Sequence, residues 1–198
     1  MQNTLRVIET SNTSIVQEII ESTMGPLHAY YAVECIKTRI CRSIIVLHDN
    51  KPVATGVYYT VPIDTKTLTI IYYIAVEKEH QKQNIGKITV LSIEELTAQN
   101  TIAYMASTTI ENKASIKMFK DLGYTVLILD DLYRRYNDMT INLLTKITCS
   151  HEDDVYLIKT IKPYTIRQIL DSIKPGTAHR IWRQICYKPW VKLWRTKR

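Results

Sequence analysis

The chain has 198 residues, a formal charge of +7, and 45% apolar content. Such a composition excludes a disordered polymer and fits one packed domain with an extension, or one large domain. No apolar run exceeds about ten residues, too few to span a bilayer. The start, MQNTLRVIET, lacks the basic-then-apolar layout of a secretory leader, so a cytoplasmic protein is expected.

Leu5–Glu9 reads as a first strand. A helix through about Thr23 follows, capped by Thr13 or Ser14, with Ile15, Ile19 and Val16 turned inward. Gly25-Pro26 breaks the chain, and a second helix runs from Leu27 to about Ile40, carrying Tyr30 and Tyr31. Ser43–His48 and Pro52–Thr60 are strands joined by the turn Asp49-Asn50-Lys51. Thr67–Val76, rich in β-branched and aromatic residues, is the central strand. A polar turn leads from it into a helix over about Ile85–Gln99. Ile102–Thr108 is a strand, Asn112 opens a short helix that ends at Gly123, and Tyr124–Leu129 is a strand. Asp130–Asp138 is expected to be a loop and Met139–Thr148 a closing strand.

His151–Asp154 is a polar break that suggests a boundary, giving a domain at 1–150 and an extension at 151–198. Val155–Ile173 echoes the strand-turn-helix of Leu5–Thr23, either by chance or as a degenerate second half. Charge is uneven: residues 160–198 sum to +9 and residues 1–159 to −2. The last stretch mixes Lys and Arg with Trp182, Trp190 and Trp194. That mixture suits an acidic partner, stacking on nucleic-acid bases, or a membrane surface. Indoles packed on the core, with the charges left in water, are the expected arrangement.

Cys35, Cys41, Cys149 and Cys186 form no CxxC pair and are expected to be reduced thiols. With five scattered histidines, no metal site is expected.

The chemistry-bearing stretch is Tyr72–Lys87. A turn entering a helix presents unpaired N–H groups and the positive end of the helix dipole, a place suited to phosphate. Lys82 and Lys87 flank it. The run Gln81-Lys82-Gln83-Asn84-Ile85-Gly86 occupies the places of the form Gln/Arg-x-x-Gly-x-Gly/Ala, with Asn84 at the first glycine. Asn112, Ala114 (one place early), Phe119, Gly123 and Tyr124 match the pattern Asn-x-x-Ala-x-x-x-Tyr/Phe-x-x-x-Gly-Phe/Tyr. In that order and spacing, the two segments resemble the GCN5-related N-acetyltransferase (GNAT) superfamily.

The resemblance implies an α/β fold: a mixed, mostly antiparallel twisted sheet flanked by helices, in the order β-α-α-β-β-β-α-β-α-β-β. It implies acetyl-CoA as acyl donor and direct attack by a primary amine in a ternary complex. The acceptor would be a small molecule or a peptide N-terminus or lysine. Main-chain groups of Ile74 and Val76 would meet the pantetheine arm and thioester carbonyl, and Gln81 to Lys87 the pyrophosphate. Asn112 would meet the pantetheine, and Ser115 or Lys120 the adenosine or its 3′-phosphate. Two positions depart from the pattern. Asn84 stands where the family prefers a glycine, and it tolerates positive φ better than other side chains. Phe119 stands where many members carry the tyrosine that protonates the leaving thiolate.

Alternation places Ile70, Tyr72 and Ile74 on the face that the resemblance turns to the acceptor, with Tyr73 on the other side. Tyr72 is the polar member of that face and the candidate catalytic residue: it either orients a water or protonates the thiolate, or else serves in cross-strand packing. Tyr133 and Tyr136 are further candidates from the expected loop before the last strand. Two other readings stay open: a non-catalytic acyl-CoA-binding module, and a ribosome- or nucleic-acid-associated protein acetyltransferase recruited by the tail at 176–198. A homodimer is compatible with all of them.

Overall fold

The computed structural model describes residues 4–195. Lys197 and Arg198 of the basic tail lie outside the described residues. Seven strands form one sheet: β1 (Leu5–Thr10), β2 (Arg42–His48), β3 (Lys51–Ile63), β4 (Lys66–Val76), β5 (Thr101–Thr108), β6 (Thr125–Ile128) and β7 (Val155–Thr160), in the order β1-β2-β3-β4-β5-β7-β6. The chain divides into two compact units, 1–59 with 71–98 and 60–70 with 99–198.

In the first unit, β1 pairs antiparallel with β2, and β2 antiparallel with β3. Helices α1 (Thr13–Met24) and α2 (Pro26–Lys37) follow β1. The cap of α1 is Asn12, whose side chain accepts from the Ser14 N–H at 3.0 Å, one residue ahead of the expected position. Gly25, at φ +96°, ends α1 and lets Pro26 begin α2 at once. Helix α3 (Ile85–Thr97) buries Ile85, Thr89, Val90 and Ile93. It lies so close to β3 that a Cβ at Gly56 would sit 2.8 Å from Thr89 Cγ2 and 2.9 Å from Ile93 Cδ1. Ile85 packs with Val46, Val53 and Ala54, and Val76 joins this cluster. The helix start is thereby fixed by apolar burial, about 2 kcal/mol for a side chain of that size.

In the second unit, β4 runs parallel to β5 through Thr67–Ile70, and β5 and β6 each pair antiparallel with β7. The segment after the polar break at 151–154 therefore supplies a sheet strand. Helix α4 (Lys113–Asp121) precedes β6. Two expectations fail just beyond it. Asp130–Asp138 is no loop: α5 (Leu129–Arg135) forms there, with acids in its first turn and arginines in its last, as the helix dipole favours. Met139–Thr148 is no strand: it lies within α6 (Asp138–Thr148). Ile141, Leu144 and Ile147 recur every third residue on its buried face, and Asn137 caps it by accepting from Thr140 N–H at 2.9 Å. Its β-branched residues pointed to a strand, and burial of the three-residue stripe overrode them. The chain continues through α7 (Ile166–Asp171) and α8 (Pro175–Trp182) to a π-turn at Arg183–Tyr187 and α9 (Lys188–Arg195).

The cysteines are not reduced thiols. Cys35 bonds Cys41 across the junction of α2 and β2, and Cys149 bonds Cys186 across 37 residues. Tertiary proximity creates both pairs, and spacing in the sequence carries no sign of it. The indoles also depart from the expected packing. Trp182 is half-buried, but Trp190 and Trp194 are 49% and 57% exposed.

Candidate active site

The first unit brings together the end of β4, the turn that follows it, and the start of α3. After Val76 the chain makes a single 3-10 turn at Lys78–His80 and an extended stretch before α3. The turn is tied down from several sides. Glu77 N–H donates to the Val53 carbonyl at 2.9 Å. The Gln81 side-chain amide donates to the Val76 carbonyl at 3.0 Å, and that of Gln83 to the Glu79 carbonyl at 3.1 Å. The first and third places of the loop motif thus act on their own backbone, holding the turn in shape.

Lys82 and Asn84 both have φ +62°, in the left-handed region. Left-handed residues alternating with ordinary ones turn successive N–H groups toward one side, the backbone concavity that binds anions. Asn84 is the residue before α3, and its side chain makes no capping bond. No acid stands in the first turn of α3. The N–H groups that begin α3 have no acceptor within the helix, and no carboxylate of its own first turn neutralises the dipole end. Gln81, Lys82, Gln83 and Asn84 are exposed, Ile85 is buried, and Gly86 and Lys87 are half-buried.

An aromatic cluster lies on β4 of the same unit. The Tyr72 and Tyr73 rings are 4.3 Å apart between centroids, so the expected alternation fails and Tyr73 does not point away. Tyr59 meets Tyr72 edge-on at 5.7 Å, and His28 of α2 meets Tyr73 edge-on at 5.8 Å. Burial holds the Tyr72 phenol far above its ordinary pKa, and the neighbouring Tyr73, Tyr59 and Tyr31 push the same way. Tyr72 therefore stays an O–H donor at any working pH and cannot serve as a base. Tyr59 is raised in the same way, by burial first. The ring of His28 is not among the residues that the sequence marks out. Its place in the helix that begins at Pro26, two residues before Tyr30, was the available signal. His80 is a second such residue: its Nδ1 is buried with no hydrogen-bond partner among the described residues, and its ring lies 5.3 Å from that of His48.

The buried phenols give a stability prediction. Burial, aided by a hydrogen bond donated to Glu9 at 3.0 Å, pushes Tyr58 up to about 12. Its folded value exceeds the unfolded value near ~10, so its contribution is complete below that pH and is lost as pH rises toward 12. The urea midpoint should hold steady from neutral pH to about 10 and fall above it. Tyr58→Phe should make that alkaline fall shallower; an identical fall in the variant would rule Tyr58 out as its source.

The second unit holds the other motif. Asn112 caps α4: its Oδ1 accepts from Ser115 N–H at 3.2 Å, and its Nδ2 donates to Thr108 Oγ1 at 3.1 Å. Phe119 is buried with its ring 4.8 Å from that of Tyr124, which explains an apolar residue there. Ser115 is half-buried and Lys120 exposed. Tyr133 lies exposed on α5, and Tyr136 directly follows that helix.

The family model described as "Acetyltransferase (GNAT) family" matches residues 13–124, more than half of the chain. The chain belongs to the GNAT acetyltransferase family. The match takes in the loop motif and ends at Tyr124 of the second one. Solved GNAT structures share the fold at low identity. An acetyltransferase of the GNAT family from Staphylococcus aureus is 13% identical with TM-score 0.60, over 80% of this chain and 100% of that one. The ribosomal-protein-S18-alanine N-acetyltransferase from Escherichia coli is 14% identical with TM-score 0.51, over 83% and 100%. An aminoglycoside N-acetyltransferase in complex with CoA is 10% identical with TM-score 0.51, over 62% and 89%. No curated protein sequence matches the chain. Among the described residues, no helix is long and apolar enough to cross a membrane.

Proposed function

We propose that this GNAT protein moves an acetyl group from acetyl-CoA to a primary amine by direct attack. The observation that carries this reading is the turn before α3, where Lys82 and Asn84 are left-handed and the helix start has no side-chain cap. Backbone N–H groups of Asn84 to Lys87 would hold the pyrophosphate, with the Lys82 and Lys87 ammonium groups adding positive charge. Main-chain groups of Ile74 and Val76 would meet the pantetheine arm and the thioester carbonyl. Asn112, Ser115, Phe119 and Lys120 are carried over from the family pattern; for Asn112 the capping bonds leave a second lone pair and a second N–H for a ligand.

Acyl transfer from a thioester needs a polarised carbonyl, a neutral amine and a stabilised thiolate. Tyr72, kept as a neutral phenol by burial, suits hydrogen-bond donation to the departing sulfur. The proton of the attacking amine needs an acceptor, and the exposed imidazole of His28, against Tyr73, is the candidate in this unit. Neighbouring folds include enzymes named for an aminoglycoside and for a ribosomal-protein alanine, so small-molecule and peptide amines both belong in a screen. That screen follows CoA release across amines with wild type and Tyr72→Phe. Loss of the donor should lower kcat about tenfold to a hundredfold, with the acetyl-CoA KM nearly unchanged. Equal turnover in the variant would remove Tyr72 from the chemistry.

A further inference from the structure

The C-terminal helices of the second unit carry a structure to which the proposed acyl transfer assigns no role. Trp182, Tyr187, Trp190 and Trp194 form a ladder with centroid spacings of 5.1, 6.2 and 6.1 Å. The ladder is anchored at its inner end. Trp182 Nε1 donates to His151 Nε2 at 3.1 Å, and the Lys146 ammonium lies 6.0 Å from its ring centre. From there it runs outward to Tyr187, Trp190 and Trp194, which are 43%, 49% and 57% exposed. The opposite side of the helices, with Ala178, Ile181, Ile185, Cys186 and Pro189, is buried.

The π-turn at Arg183–Tyr187 sets the alignment. A five-residue step in a regular α-helix lands about 140° away from its starting face. A turn closed i→i+5 brings the same step back over itself, and so Tyr187 stacks on Trp182. Between 172 and 195 the chain has six Lys and Arg residues and no acid. Arg180, Arg183, Lys188 and Arg195 are exposed, and Arg195 borders a shallow groove with Trp190, Val191 and Trp194.

We propose that this face docks the protein on an anionic lipid surface. A cationic helix with Trp on its outer side is built for the headgroup region, where an indole buries its ring and keeps its N–H wet. The stacking argues against nucleic acid. A platform for single-stranded bases needs free ring faces. Here Tyr187 stacks on Trp182 at 5.1 Å with an interplanar angle of 27°, and the outermost ring, Trp194, is tilted 58° from Trp190, so the rings form no parallel platform. The exposed rings of Tyr187, Trp190 and Trp194, beside the exposed Arg180, Arg183, Lys188 and Arg195, fit an interface belt. Each cation that reaches an anionic surface multiplies partition about fivefold.

All three tryptophans of the chain lie on this ladder, so tryptophan emission, excited selectively over tyrosine, reports on it alone. The full chain is mixed with phosphatidylcholine vesicles with and without phosphatidylserine, and fluorescence and co-sedimentation are read. Partition onto the anionic vesicles should exceed that onto the neutral ones about a hundredfold and should fall with added salt. Arg183→Gln with Arg195→Gln should abolish most of this preference while leaving the Trp signal in place. Trp190→Ala with Trp194→Ala, both exposed positions, should reduce co-sedimentation at least about tenfold with unchanged circular dichroism. Equal co-sedimentation of either double variant overturns the proposal. So does binding of a single-stranded RNA oligomer without vesicle partition, which would assign the face to nucleic acid. Acetyl transfer plays no part in these readouts.

Discussion

Gly56→Leu should lower the stability of the protein by about 2 to 3 kcal/mol, the largest effect expected from a single substitution outside the loop. A Cβ at this position falls 2.8 Å from Thr89 Cγ2, 2.9 Å from Ile93 Cδ1 and 3.3 Å from Ile44 Cγ1. Thr89 cannot yield readily, because it is fully buried and its hydroxyl donates to the Ile85 carbonyl at 2.8 Å. Ile93 Cδ1 is the mobile end of its side chain, so Gly56→Ala should cost less than Gly56→Leu. Adding Ile93→Val to Gly56→Ala removes that methyl and should restore part of the loss, a non-additivity that only direct contact produces. The predicted fall in melting temperature for Gly56→Leu is about 8 °C, at roughly 2–4 °C per kcal/mol for a chain of this size. Unchanged melting would mean that α3 can move off β3 at little cost. That outcome matters for function, since the same contact holds the helix whose first turn is the proposed phosphate site.

The second large effect is expected at Asn84. A side chain at φ +62° costs roughly 1–2 kcal/mol unless it is Gly, Asn or Asp, and more if it is β-branched. Asn84→Val should therefore push the turn out of shape and weaken CoA binding about tenfold or more. Asn84→Gly should bind as well as wild type or better, because glycine takes the same backbone and clears the approach of the pyrophosphate. If Val and Gly variants bound alike, the left-handed turn would have no part in holding the donor.

The central strand, the polar turn and the start of α3 were legible in the sequence for a physical reason. A β-branched and aromatic run, a polar stretch and a helical apolar spacing follow one another within about thirty residues, and each signal is local. The left-handed Asn84 was legible too, since few residues tolerate that backbone. The C-terminal half was harder. In 139–148 the residue types favour a strand while Ile141, Leu144 and Ile147 form a helical stripe, and tertiary burial decides between them. Strict alternation puts Tyr72 and Tyr73 on opposite faces, yet their ring centroids are 4.3 Å apart. Neither disulfide follows from spacing, because each depends on where the fold carries its thiols. The exposed Trp190 and Trp194 depend likewise on a π-turn that no residue pattern announces.

The decisive measurement is a calorimetric titration of CoA into the full wild-type chain. Saturable one-to-one binding is expected, competed away by inorganic pyrophosphate, weakened in Asn84→Val and kept in Asn84→Gly. No heat and no thermal protection with CoA would rule out a donor site at the start of α3, as would equal affinity in all three proteins.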